Sequence, residues 1–363
     1  MAEDDGGLAS VSLVVASLAL AGCASIGPAT VPADRVDYAD ALATSWKAQM
    51  LLNIVRLRYA DVPTFMDVAS IVSAYAVQGQ VQAGVSANLN VPSATVITPG
   101  GVGTVSVLGA WVDRPTISYT PLTGQKFARS LLAPIPPAAI FSLIAAGYPA
   151  DAVLLSTVRA INGVWNDTIE GGERRPGDPA FFALVEALRR VQLSRAFSIE
   201  VKREAGGAES VIAIFAGRQD PELARDIAFI GSTLGLETRN GEVDLAFGAV
   251  QRRPDELAVL SRSMLEIMID IAATIEVPPE HVASGKTIAN PPTGAHGAGR
   301  VRIFSGREPP GESFTQVRYG DFWYWIPAND FASKRALTYL LLFFSLAETG
   351  VVPSAPVLTI PVQ

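Results

Sequence analysis

The sequence predicts an α+β protein, a mixed sheet with packed helices, that also carries a long uncharged β-hairpin. Three observations predict it. Segments with apolar residues three and four apart alternate with short runs rich in Val, Ile, Phe and Tyr, bounded by Gly and Pro. From Val68 to Val112, between Asp67 and Asp113, no residue is charged, although 17% of the chain is Asp, Glu, Lys or Arg. Within that stretch apolar and polar side chains alternate from Val77 to Asn90, the period of a strand whose two faces meet different surroundings. With 363 residues, 49% of them hydrophobic, the chain can bury one large core or two smaller ones.

At the N-terminus, Leu8 to Ala21 form an apolar run too short to span a bilayer as a permanent helix and of the length of a signal-peptide core. It ends in Leu20-Ala21-Gly22-Cys23, and Cys23 is the only cysteine. These four residues resemble the lipobox of bacterial lipoproteins. The resemblance implies lipidation of Cys23, cleavage before it, and sorting to the outer membrane, since Ala24 and Ser25 rather than Asp follow. Acyl chains would then anchor a body facing the periplasm. The leader departs from the usual pattern in beginning with the acidic MAEDDGG. Residues 1–22 thus read as a signal peptide and 23–37 as a tether.

Region 38–125 holds an N-terminal helix and the hairpin. The helix is expected from Tyr38 to Tyr59, with Leu42, Trp46, Met50 and Ile54 at four-residue spacing and Pro63 beyond its end. After the uncharged stretch, Ile117 and Tyr119 alternate with Thr116, Ser118 and Thr120. Region 126–175 reads as a helical connector, with KFARSLL and then PPAAIFSLIAAG, opened by proline and closed by Gly147. Region 176–363 reads as an α+β periplasmic domain. Its helices are Pro179–Ser194, Pro221–Leu236, a long one over Pro254–Ile275, and one capped by Asp330. Its strands are FSIEVKRE, SVIAIFA, GEVDLAFGAV, RVRIFSG, FTQVRY, FWYWI and the tail APVLTIPV, with FTQVRY and FWYWI joined at Gly320-Asp321. Pro278 to Gly299 reads as a long loop, and no internal repeat is found. At RPTISYTPLTGQKFARSLL and DFASKRALTYLLLFFSLAETG the chain resembles a group of predicted proteobacterial envelope proteins with no assigned activity, so the likeness brings no functional residues.

In the hairpin, Val77, Val81, Val85 and Leu89 share one face with the intervening Gly and Ala, and Gln78, Gln80, Gln82, Ser86 and Asn88 share the other. After the Pro/Gly-rich Val91–Gly103, Val105, Val107 and Trp111 fall on one face of a second strand. Each strand has the about 9–11 residues of a transmembrane β-strand. Tyr75, Trp111 and Tyr119 fall near the end where the chain enters and leaves, as interfacial aromatics do. One hairpin alone would leave its edges unsatisfied in lipid, whereas strands from several subunits close a barrel. That arrangement resembles the curli-secretion lipoprotein channel in architecture, without a shared motif. A soluble hairpin packed on its own sheet or on a neighbouring subunit fits the same pattern, because the apolar face is Val, Ala and Gly rather than Leu and Phe.

Enzyme chemistry finds little support in the residues. The two histidines, His281 and His296, lie in the Pro/Gly-rich loop and read as surface, with no metal-ligand spacing around them. ASGKT lacks the first glycine of a phosphate loop, where Glu280 stands, and the serine of GSTLG is misplaced for a nucleophile elbow. No catalytic residue, metal or cofactor is assigned. A net charge of −7 gives no basis for binding nucleic acid. Trp323 and Trp325 share a strand face and are candidate docking aromatics, and the all-round apolar Tyr339–Ala347 is a buried helix or a subunit interface. The leading expectation is an outer-membrane lipoprotein with a structural or export role, as a homo-oligomer and in one form a pore. The alternatives are an interaction module of an envelope protein complex and, third, a cell-wall-acting enzyme.

Overall fold

The computed structural model describes residues 27–72, 75–86, 102–113, 115–170, 173–203, 209–215, 220–237, 242–291 and 301–347. The chain divides into two units, 1–41 with 66–120, and 42–65 with 121–363. Cys23, Asn88, Leu89, His296 and the tail strand lie outside the described residues.

Helix α1 (Gly27–Arg58) contributes to both units. It starts at Gly27 rather than Tyr38, so residues 27–37 of the expected tether are helical. Pro28 stands in the first turn, where a missing N–H would have no helical partner anyway, and Pro32 removes a single bond close to that end. In the first unit, β1 (Phe65–Val72) pairs with β4 (Thr116–Leu122), and inside them β2 (Tyr75–Ser86) pairs with β3 (Val102–Asp113). The predicted hairpin is therefore present, nested within a second two-stranded ladder.

The second unit is built on a six-stranded sheet in the order β6-β5-β12-β11-β10-β9. Its strands are β5 (Val158–Ile161), β6 (Val164–Trp165), β9 (Phe197–Arg203), β10 (Glu209–Phe215), β11 (Glu242–Phe247) and β12 (Glu256–Ser261). Only β11 and β12 run parallel. A second sheet has the order β13-β15-β14, from β13 (Phe304–Gly306), β14 (Ser313–Tyr319) and β15 (Phe322–Pro327), and β7 (Thr168–Glu170) pairs with β8 (Glu173–Arg175). The helices are α2 (Gly124–Leu132), α3 (Pro137–Ala145), α4 (Ala150–Thr157), α5 (Pro179–Leu193), α6 (Pro221–Leu234), α7 (Met264–Ala272), α8 (Pro279–Ala283) and α9 (Phe331–Ala347). Met50, Ile54, Phe141, Phe181, Val259, Met268 and Tyr324 lie in one continuous buried core.

Three expectations are corrected here. Pro254–Ile275 is not one helix: ELAVLS is strand β12, buried almost throughout, and α7 starts only at Met264. A fully buried strand is apolar on both faces and carries no period to separate it from a helix. The break is marked by Ser263, whose side chain accepts from the Glu266 N–H while Glu266 reaches back to the Ser263 N–H, a capping box. Region 126–175 is not a helical connector, because β5 pairs with the central β12 and belongs to the body. Pro278–Gly299 is not loop throughout, since Pro279 opens α8.

The β5–β6 turn is Asn162-Gly163, with φ of 47° and 82°. Two left-handed residues in succession suit a two-residue hairpin and favour Asn-Gly. The Asn162 side chain also reaches beyond the turn. Its amide Nδ2 lies 2.9 Å from the Leu234 carbonyl and 3.0 Å from Gln251 Oε1, and its Oδ1 accepts from the Ala258 N–H at 2.7 Å. It thereby ties the turn to the end of α6, to the β11–β12 return and to β12. Asn162→Ala is expected to cost on the order of 3 kcal/mol, combining an unsatisfied buried N–H with a strained φ. Asn162→Gly should recover about 1 kcal/mol of that by relieving the strain alone. Urea unfolding of both variants checks the pair.

Candidate functional site

Two features are candidates from the sequence, the hairpin and the aromatic strand, and the fold adds a third, a Tyr–His cluster. In the hairpin, β2 and β3 are antiparallel over twelve register pairs, from Tyr75↔Asp113 to Ser86↔Val102. Partners in an antiparallel register share one face of the ladder. Val77 is opposite Trp111, Gly79 opposite Gly109, Val81 opposite Val107, and Ala83 opposite Val105, with Val85 opposite Gly103. The positions expected to be apolar on the two strands are therefore paired in register. Gln78, Gln80 and Gln82 fall opposite Ala110, Leu108 and Ser106, so the row expected to line a lumen is polar mainly on β2.

Twelve residues at about 3.4 Å each extend roughly 40 Å, enough to cross a hydrocarbon layer at a tilt. Among the described residues no third strand joins either ladder, and the outer N–H and C=O groups of β2 and β3 have no strand partner. The flanking ladder exposes apolar groups: Met66 and Val72 on β1, and Ile117 and Tyr119 on β4, Tyr119 at 57%.

The aromatic strand is partly used by the fold itself. Along β15, Phe322, Tyr324 and Ile326 are buried, while Trp323 and Trp325 are half-buried on the other face. Trp325 stacks on Phe304 with centroids 6.1 Å apart and crowds Gly306, where an added Cβ would stand 3.2 Å from its ring. The helix expected to be buried or interfacial keeps Leu337, Leu340 and Phe343 in the core.

Sequence reasoning missed the third feature, and its surface reading of His281 is corrected. His281 on α8 is only 8% exposed. Its Nδ1 lies 2.7 Å from Tyr59 Oη, and Tyr59 Oη lies 2.5 Å from Tyr324 Oη. Tyr319 packs on Tyr59 at 5.2 Å and donates to Asp61, while Phe322 meets the imidazole edge-on at 4.9 Å. Arg58 donates to the Ile288 carbonyl at 2.9 Å, and Thr287 donates to the Arg58 carbonyl at 2.8 Å. The group clasps the end of α1 to the segment 281–290. The signal that could have found it is Pro278-Pro279, the proline-led helix start already recognised at Pro136-Pro137.

Burial, reinforced by Lys286 and Arg307 against Glu280 and Asp321, pushes the imidazole of His281 below its ordinary value. Burial likewise pushes the phenols of Tyr59 and Tyr324 up, and in Tyr324 the hydrogen bond to Tyr59 adds to it. A neutral ring protonated on Nε2 accepts from Tyr59 at Nδ1, which frees the Tyr59 oxygen to accept from Tyr324. All three groups are then uncharged at neutral pH, an arrangement that fixes geometry. Among the described residues no three His, Cys, Asp or Glu side chains converge as a metal site, and no helix is long and apolar enough to cross a membrane.

No protein family, curated protein or solved structure matches the chain.

The Tyr–His clasp carries a pH dependence with a definite sign. A histidine whose folded-state pKa is depressed contributes stability that is full above the unfolded value of about 6.5 and is lost as pH falls below it through the folded value. The melting temperature of the protein should therefore drop between pH 7.5 and 5, and His281→Gln should flatten that part of the profile. Circular-dichroism melts across this range test it, and an unchanged slope in the variant refutes the assignment.

Proposed function

We propose that the protein is a lipid-anchored subunit of an outer-membrane assembly, in which copies of the chain pair edge to edge through the β2–β3 hairpin. The observation that carries this reading is a ladder of twelve pairs, uncharged except for Asp113 at its base, whose outer edges pair with no third strand among the described residues. An isolated two-stranded hairpin is marginal in water, and in lipid its open edges would leave backbone groups unsatisfied at several kcal/mol each. Pairing the β2 edge of one copy with the β3 edge of the next removes both problems, and a ring of such contacts leaves no edge. Val77, Val81, Val85, Val105, Val107 and Trp111 would face outward, and Gln78, Gln80, Gln82 and Ser86 a neutral aqueous lumen. Lipid on Cys23 would hold each copy at the membrane from the periplasmic side. The role is structural, with passage through the assembly passive.

One observation favours a second reading, a hairpin packed within an assembly that stays in the periplasm: the apolar row is Val, Ala and Gly, a weakly lipophilic surface. The two readings separate by labelling. Because Cys23 is the only cysteine, Ser93→Cys, between β2 and β3 in sequence, introduces one new thiol, with Ser313→Cys on β14 as the control. A membrane-impermeant maleimide on intact cells should label position 93 and spare 313. Labelling of neither before lysis would favour the periplasmic assembly. Purified in detergent, the protein should have a mass several times the 38.2 kDa of one chain. Val81→Pro, which removes a ladder donor, should reduce it to single copies without lowering the melting temperature of the body. A wild-type protein that runs as a single copy sinks both readings.

A further inference from the structure

A cavity of about 170 Å³ opens between α4, α7 and α9 in the second unit, independent of the hairpin. Leu155, Phe182, Ile267, Ile271, Leu340 and Phe343 form much of its wall, and polar and charged side chains the rest. A dry cavity of about 150 Å³ holds benzene, so this one accepts a body of roughly that size.

Most of the charged groups around it are paired with one another. Arg262, 4% exposed, faces Asp270 at 3.1 Å and donates to the carbonyls of Leu155 and Ser156 at 3.0 Å and of Asp167. The Asp167 carboxylate takes Arg174 and the Gly177 N–H. Asp151 stands 3.6 Å from Arg189 Nε, an ion pair without a hydrogen bond to its buried Oδ1. Each of the three carboxylates therefore has its own cation. Arg335 on α9 is left over: it lines the cavity, is half-buried, and sits 5.8 Å from the Phe331 ring. Among the described residues no carboxylate pairs with it. A guanidinium held at the edge of an apolar cavity has lost part of its hydration and gains most from a planar anion that accepts two parallel N–H bonds.

We propose that this cavity binds a small monocarboxylate with a compact apolar body, the body among Leu155, Phe182 and Phe343 and the carboxylate on Arg335. Asp167 and Asp270 are closely paired with Arg174 and Arg262, and Asp151 has Arg189 at 3.6 Å, which limits their repulsion of a bound carboxylate. The apolar walls provide affinity for the body, and Arg335 selects acid over alcohol or amide.

The test is calorimetric titration of the full-length protein in detergent with 3-phenylpropionate and with its uncharged analogue 3-phenylpropanol. The acid should bind at least tenfold more tightly than the alcohol. Arg335→Gln should weaken the acid about tenfold or more and leave the alcohol unchanged. Ala336→Phe, which fills the cavity from α9, should abolish both while Arg335→Gln retains the wild-type melting temperature. Equal binding of acid and alcohol, acid binding untouched by Arg335→Gln, or no binding of the acid at millimolar concentration overturns the proposal. None of these outcomes depends on whether the hairpin assembles.

Discussion

The second unit depends on one buried cation. Arg262 follows directly on the central strand β12, and its guanidinium is almost wholly removed from water. Burying a charge costs several kcal/mol unless each donor finds a partner. Here the partners come from separate elements: the carbonyls of Leu155 and Ser156 near the end of α4, the carbonyl of Asp167 beyond β6, and the carboxylate of Asp270 on α7. The Arg262 backbone adds to this, donating its N–H to Thr157 and accepting from Ile135. Satisfying one side chain thus fixes where α4, α7 and the 166–167 segment lie around β12, and the cavity beside Arg335 is a consequence of that placement.

Asn162 plays the neutral counterpart at the other side of the same strand. The eight residues between β11 and β12 return the chain to a parallel neighbour without a helix, a short crossover for parallel strands. Gln251 in that return is held by the Asn162 amide and donates to the Gly235 and Arg253 carbonyls. The body therefore satisfies its buried backbone through a few polar side chains that each serve several elements. The hairpin unit does the opposite. Among the described residues its ladders pair only along their inner edges, and Met66, Val72, Ile117 and Tyr119 are exposed.

Where local chemistry decides, the sequence was readable. The helices at Pro137, Pro179 and Pro221 begin at prolines, the last of them with a side-chain cap from Asp220. The Gly320-Asp321 turn joins β14 to β15 as its residues demand. Asn162-Gly163 is an equally clear turn signal, and β5 and β6 could have been placed from it. The errors fall where burial overrides period. ELAVLS and MLEIMIDIA are both predominantly apolar, and the capping box at Ser263 marks where strand gives way to helix.

Taken alone, the sequence determined the α+β class, the twofold alternation of the hairpin and its freedom from charge, because these follow from side-chain chemistry within a few residues. The tertiary structure decided what lies far apart in the chain: that His281 is buried against Tyr59 and Tyr324, that the Arg262 side chain joins α4, Asp167 and α7, and that Arg335 pairs with no carboxylate among the described residues. The physical reason is the same in each case. Whether a polar group is satisfied depends on partners brought together across more than 90 residues, as for Arg262 and the Asp167 carbonyl, and no local pattern encodes that meeting.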